Sequence, residues 1–288
     1  MNMKAVKTQK KTVCAFILPS LIGTIIFFMI PYADVFRRSF FTTATGEFVG
    51  LRNFTEVLNN EAFRLAMKNT GLFIVVCVPL LLVFSLAIAV FLHQHAKSGK
   101  WMQTGFLIPM AIPVASIVLV WKLMFDRNGF LNGALQALGI EGVDWMNTDF
   151  AFWVLVLSYI WKNLGYNIIL WIAGLTTIPS EIHEAARIDG AGSWQCFRRI
   201  TLPNLLPSLF VISVLALLNS FKVFREAYLV AGEYPHESMY MIQHLFNNWF
   251  RDLSLDKMAA GAALDSLILI VFILLLQKLW DRKGDSAT

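Results

Sequence analysis

The feature that most restricts this chain is a set of apolar runs long enough to cross a lipid bilayer. Residues 13–30 hold eighteen positions without a charge, and further runs occupy about 70–92, 105–125, 150–175, 205–230 and 258–279. A spanning helix needs about 20 apolar residues. Inside hydrocarbon every backbone N–H and C=O must find its partner within the structure, so such runs fold as helices or closed barrels. Runs of this length read as helices. The expected fold class is therefore all-α, a polytopic membrane protein with six transmembrane helices. An apolar share of 57% against 15% charged, with a mean hydropathy of +0.61, agrees. The 288 residues hold these spans and short loops but no large separate domain, so 1–288 is expected to be a single domain.

Lys4, Lys7, Lys10 and Lys11 precede the first run, a pattern shared by signal peptides and first anchors. The length of the run, Pro19 inside it and the lack of a small-x-small site before Pro31 favour an anchor. Between the first two spans, 51–58 and 61–68 read as short interfacial helices. Pro79 in span two is read as a kink that buried neighbours tolerate, and span three contains Pro109 and Pro113. The short loop at 93–104 holds His93 and His95, which lack the carboxylate or cysteine that would complete a metal set and read as a solvated helix end. Cys14, Cys77 and Cys196 are too widely spaced to imply a disulfide or a metal site. Trp101, Trp121, Trp145, Trp249 and Trp280 read as interfacial belt residues.

A net charge of +5 raises nucleic acid as a partner, but the basic residues sit mainly at the ends of apolar runs, where they set topology. With the N-terminus inside, twelve Lys and Arg fall on the inner side and eight on the outer. That bias places both termini in the cytoplasm, together with the loop at 176–204. This loop is polar and helix-forming. Ser180 is a plausible N-cap for a helix through Ala185, Ala186 and Ile188, and Gly190 a plausible stop. Trp194, Phe197 and Ile200 recur at a spacing of three in a second helical stretch that Pro203 ends.

No nucleotide or hydrolytic motif is present. The nearest approach to a phosphate loop, Ser98-Gly99-Lys100-Trp101, lacks the first glycine and the hydroxyl that would meet magnesium. Neither H-E-x-x-H nor G-x-S-x-G occurs. The chain therefore reads as no enzyme and as holding no cofactor.

The polar residues inside the spans are the remaining chemistry. A charged side chain at the bilayer centre costs about 2.5 to 3.5 kcal/mol on insertion scales, so it usually faces a cavity or a partner. In span four, Tyr159, Lys162, Asn163, Tyr166 and Asn167 share one helical face. In span five, Asn219, Lys222 and Glu226 do the same, beside Arg225. At about 1.5 Å per residue, Lys162, Asn163 and Asn219 lie within the membrane, while Arg225 and Glu226 fall near its outer surface. One reading is structural, with Lys222 paired to Glu226 and Lys162 snorkelling or bonded to a carbonyl. The other is a translocation path: amides for hydroxyl groups, aromatic rings for the apolar faces of sugars, and lysines.

The order Glu184-Ala185-Ala186, then Gly190, then Ile200-Thr201-Leu202-Pro203 resembles the cytoplasmic EAA loop of ATP-binding-cassette (ABC) importer permeases, and every position of that pattern is filled. Together with Gly50-Leu51-Arg52-Asn53-Phe54 and Asn69-Thr70, the chain resembles the sugar-type permeases related to the maltose and glycerol-phosphate importers. The resemblance implies that Glu184, Ala185, Ala186, Asp189 and Gly190 form an ATPase-coupling helix and its turn. It implies as partners a second permease, two ATPase subunits that hold ATP and Mg, and an external solute-binding protein. It also implies a carbohydrate cargo, moved by alternating access in the bacterial cytoplasmic membrane. Sugar contacts in the family come from the spans flanking the loop, matching Tyr159, Lys162, Asn163, Tyr166, Asn167, Asn219 and Lys222. The two lysines raise an acidic oligosaccharide as the cargo; a phosphorylated polyol, or an ATPase-independent secondary transporter, is the alternative. The chain departs from the family's Gly-Gly-Pro turn after span five with Ala231-Gly232-Glu233-Tyr234-Pro235.

Overall fold

The computed structural model describes residues 17–284, with backbone only for 96–103 and 279–284. The start of the first run, Cys14 and the four leader lysines lie outside the described residues, as do the side chains of Trp101 and Trp280. Among the described residues the chain is helical, without a sheet; an isolated bridge joins Phe41 to Phe48. The helices are α1 (Ile17–Arg38), α2 (Arg52–Asn59), α3 (Glu61–Gln94), α4 (Ala96–Ala111), α5 (Val114–Phe125), α6 (Phe130–Ala137), α7 (Phe150–Thr176), α8 (Ser180–Ile188), α9 (Ser193–Cys196), α10 (Leu206–Ala231), α11 (Ile242–Arg251) and α12 (Leu255–Gly284).

Four of these, α1, α3, α10 and α12, are long and apolar enough to cross a membrane. A bent pair, Thr104–Ala111 with Val114–Ala137, turned by 96°, has the length and composition of a fifth crossing if its two arms form one span. The single span expected at 105–125 is thus broken, because Pro113 withholds an N–H and Ile112 is forced into extended backbone before it. At 27 residues, α7 has the length of a sixth span. Its tyrosines, asparagines and Lys162 lower its hydropathy below that of the others.

Other expected boundaries shift as well. Residues 61–68 are no separate interfacial helix: they are the first turns of the 34-residue α3, which carries Pro79 in its interior. The loop expected at 93–104 shrinks to a break at His95 between two helices. Helix α1 runs through Pro31 to Arg38, with Pro31 opening a fresh helical segment after the π-helical turn Ile25–Met29. Proline suits a helix start, where its missing N–H is no loss.

The chain divides into two compact units. The first comprises residues 1–60 and 248–270. In it Asn53, 2% exposed, donates from Nδ2 to the carbonyls of Ser39 and Phe41, each at 3.0 Å, and so ties α2 to the end of α1. Gly50 sits just before α2 at φ +58°, a conformation that glycine adopts freely. The Gly50 to Phe54 sequence thus has a local structural reason.

The second unit comprises residues 61–247 and 271–288. Its core is built on α3, whose Phe73, Cys77 and Leu81 pack with Trp121, Leu155, Tyr159 and Ala216. Further along α3, Ala89 and Leu92 pack with Ile168, Trp171 and Leu175 of α7 and with Leu205 and Ile212. Lipid tails compete for apolar surface as well as side chains do, so such helices associate through close packing and buried hydrogen bonds. Both occur here. Gly165 brings α7 against the Phe106 carbonyl of α4 with no room for a Cβ. Trp171 Nε1 donates to Ser85 Oγ at 3.0 Å, and Ser85 donates in turn to the Leu81 carbonyl at 2.6 Å.

The other end of α3 is capped by the segment after α10. Asn69 Nδ2 donates to the carbonyls of Glu237 at 2.6 Å and Tyr240 at 3.0 Å, and Thr70 Oγ1 accepts from the Ile242 N–H at 3.0 Å. The tryptophans depart from the belt expectation. Trp121 and Trp249 are only 4% and 7% exposed. Trp145 packs on Phe125 and Phe150 and donates to Asn132 Oδ1 at 3.0 Å.

Candidate polar path and central loop

Span four carries its polar residues on one face, and the structure gives each a definite role. Tyr159 is 4% exposed and donates from its hydroxyl to the Ala216 carbonyl of α10 at 3.0 Å, which fixes the two spans together. Lys162 is joined to Glu226 Oε1 in an ion pair whose side chains are 20% and 8% exposed. Asn163 donates to the Tyr159 carbonyl at 2.9 Å, and Asn167 to the Asn163 carbonyl at 3.0 Å. Each amide nitrogen thereby places one of its two N–H donors on its own helix. Two acceptors are left: Asn167 Oδ1 and Glu226 Oε2 are buried with no protein donor among the described residues. Tyr166 is half-buried on the same face.

On span five the expected pairing is corrected. Lys222 donates to Asn219 Oδ1 at 2.7 Å on an exposed surface, and Glu226 turns to Lys162 instead. The local difference is that Lys222 lies inside a 3₁₀ turn, Phe221–Val223, which interrupts α10 ahead of Glu226 and breaks the even helical spacing. Glu226 is also not a surface residue, being 6% exposed. Glu226 therefore joins the candidate path. Only its place on the span-five stripe hinted at this.

The loop between the two spans is a short lever. Helix α8 begins at Ser180, with Pro179 in the cap position, so Ser180 is the first helical residue and not the cap. Its end follows the sequence closely. Gly190 takes φ +83°, the Gly190 N–H reaches the Arg187 carbonyl at 3.0 Å, and the Ala191 N–H reaches the Ala186 carbonyl at 2.9 Å. This pair of bonds is a Schellman stop, which favours glycine at the left-handed position. Glu184, Ala185 and Asp189 are exposed, as is Ile188 at 86%, while Ala186 is half-buried.

The second stretch departs from expectation. Pro203 does not end it: α9 passes through a π-helical turn, Phe197–Thr201, into Leu202–Asn204, where Pro203 lies at the first turn. Trp194 is 70% exposed and stacks on Phe197 at 5.6 Å. His183, which drew no attention in the sequence, bonds from Nε2 to Thr201 Oγ1 at 3.0 Å. Both line a cleft of about 550 Å³ with Glu184, Arg187, His93 and His95. Among the described residues no cluster of His, Cys, Asp or Glu could hold a metal ion.

After span five, the departure from Gly-Gly-Pro needs only one glycine, since Gly232 alone takes a positive φ of +76° there. Beyond it His244 is fully buried, accepts from the Met241 N–H at 3.1 Å and meets the Phe224 ring edge-on at 4.8 Å. Burial pushes its imidazole down to about 4.

A family model described as "Binding-protein-dependent transport system inner membrane component" matches residues 82–284. The trehalose/maltose transport system permease protein MalF of Thermococcus litoralis is 32% identical over 263 residues, covering 89% of this chain and 88% of that protein. The arabinooligosaccharides transport system permease protein AraP of Bacillus subtilis is 30% identical over 280 residues, covering 92% and 86%. The fold is shared with the crystal structure of a bacterial ABC transporter involved in the import of the acidic polysaccharide alginate. That match has a TM-score of 0.84 at 22% identity and covers 97% of this chain and 98% of the other. With the family model spanning most of the chain and the relatives nearly all of it, this protein belongs to the binding-protein-dependent transport system inner membrane components, the permease subunits of ABC importers.

Proposed function

We propose that this chain forms half of the translocation path of an importer for a carbohydrate and works by alternating access. The observation that carries the reading is the placement of the exposed helix α8 within the loop that joins the two polar spans, α7 and α10. A lever placed there links an ATPase to the path with no intervening domain. Glu184, Ala185, Ala186, Asp189 and Gly190 are read as the coupling residues. Tyr159, Lys162, Asn163, Tyr166, Asn167, Asn219 and Lys222 are read as lining or supporting the path. The sugar names of the MalF and AraP relatives agree with a carbohydrate cargo.

In this reading residues 1–288 act as one permease domain in the cytoplasmic membrane of a bacterium, with both termini in the cytoplasm. The chain is not itself an enzyme and holds no cofactor, since ATP and Mg reside on two ATPase partners. A second permease completes the path, and an extracytoplasmic solute-binding protein delivers the sugar. Binding of ATP shifts the pair of permeases between two states through contacts that differ between them.

Because Lys162 is neutralised by Glu226, the case for an acidic oligosaccharide now rests on Lys222. Uptake of maltotetraose and of an oligogalacturonate in Lys222→Ala cells separates the two cargo classes. A selective loss of the acidic sugar supports the acidic cargo; equal loss of both, or none, contradicts it. Uptake of a phosphorylated polyol and of neither sugar favours the alternative cargo.

A further inference from the structure

The central loop is closed at its neck as well as at its tip. At the tip, the Schellman stop at Gly190 and a contact from Cys196 Sγ to the Ala191 carbonyl at 3.8 Å fold α9 back beside α8. At the neck, α7 and α10 are in contact where Gly174 has no room for a Cβ beside Ser208, and Leu175 and Leu205 lie in one apolar cluster. Between these, the two arms of the loop are joined by a side-chain bond eighteen residues apart, His183 Nε2 to Thr201 Oγ1. Thr201 is only 7% exposed and precedes Leu205 by a single helical turn, so what moves Thr201 moves the start of span five.

We infer that His183 is a positioning residue for energy coupling: its bond to Thr201 makes α8 and the root of span five one rigid body. This rests on the importer reading above. Glu184, beside His183, is exposed and lines the same cleft, while His183 in addition reaches across to Thr201. A push delivered at Glu184 has two routes to the membrane. One is the longer path around the turn at 189–193, which has glycines at 190 and 192, and back along α9. The other runs straight across the His183 to Thr201 bond. A stiff cross-strut there sends displacement into span five; without it, displacement is absorbed by the turn. The threonine hydroxyl can donate or accept, so the strut holds with either imidazole tautomer.

The test uses the complete importer, with its ATPase subunits, reconstituted in lipid. Distance labels are placed at the exposed positions Ile188 on α8 and Leu218 on α10. Distances are read without nucleotide and in the ATP-bound, vanadate-trapped state. The wild-type distance is expected to be the same in both states. His183→Ala and Thr201→Val are expected to add an ATP-dependent population shifted by about 2 Å or more, the scale of helix shifts in switching proteins. ATP hydrolysis is expected to persist in both. His183→Gln, whose amide reaches the Nε2 position, is expected to restore the single distance. Combining His183→Ala with Thr201→Val is expected to add nothing to either alone.

An ATP-dependent change in the wild type overturns the inference, as does a wild-type distance pattern in His183→Ala. So does loss of ATPase assembly in both single variants, which would make the bond a folding or docking requirement only. Failure of the wild-type permease itself to assemble with any ATPase contradicts the importer reading, and is distinguished from these outcomes by occurring without any substitution.

Discussion

Lys162 on α7 and Glu226 on α10 form an ion pair within the helix bundle, joining the two spans that flank the central loop. Breaking a buried pair leaves an uncompensated charge and costs about 3–5 kcal/mol, whereas replacing both partners with apolar residues is often neutral. Lys162→Met and Glu226→Gln are each expected to lower the thermal midpoint of the purified protein strongly. Lys162→Met with Glu226→Leu is expected to recover most of the loss. Melting of the four proteins in one detergent checks this.

Gly165 marks the closest approach of α7 to α4, where an added Cβ would collide with the Phe106 carbonyl. Backbone cannot step aside as a flexible side chain can, so Gly165→Ala is expected to force the helices apart. Overpacking of this kind costs about 1–3 kcal/mol or more. Gly71 lies on the same kind of membrane helix with open space around it, and Gly71→Ala is expected to be nearly neutral. Membrane accumulation and melting of the two variants give the comparison.

Asn69 holds the segment beyond α10 by donating to the carbonyls of Glu237 and Tyr240. In Asn69→Ala each carbonyl loses one hydrogen bond, at about 0.5–1.5 kcal/mol apiece, while the Glu237 carbonyl keeps the Tyr240 N–H at 3.2 Å. The expected result is a loosened segment at 232–241, seen as faster hydrogen exchange there than in α7.

His244 gives the stability a pH dependence. Its folded pKa, pushed down to about 4 by burial, lies below the ordinary 6.5. Between these values the unfolded chain binds the extra proton, so this contribution is complete above pH 6.5 and is lost as pH falls through about 4. The shift corresponds to about 3 kcal/mol. His244→Asn retains an acceptor for the Met241 N–H and is expected to flatten the pH dependence of the melting midpoint across that window.

Much of the fold was legible because bilayer crossing leaves so few solutions. The span starts near 150 and 205 and the Gly190 stop follow from apolar length and from the left-handed geometry that glycine favours, while the last span starts at Leu255, three residues before the expected 258. What the sequence hid depends on neighbours distant in the chain. Lys222 and Glu226 have an ideal spacing for a pair, yet Lys222 lies inside the 3₁₀ turn at 221–223 and Lys162, 64 residues away, takes the carboxylate. Asn132 organises the loop before α7 through bonds to Val143 and Trp145, a role its composition alone does not announce. His183 looked like any polar residue on an exposed helix until Thr201 came within reach.

The central claim is that the helix bearing Glu184 docks on an ATPase and drives the path between α7 and α10. Glu184 is exposed, so reversing its charge leaves the fold intact. The decisive measurement is co-purification of the permease with an ABC ATPase subunit, together with sugar uptake, in wild type and Glu184→Lys. The expected result is an ATPase-bound, transporting wild type and a Glu184→Lys protein that accumulates normally in the membrane but loses both partner and uptake. Normal uptake by Glu184→Lys, or transport by the wild type without any ATPase, would contradict it.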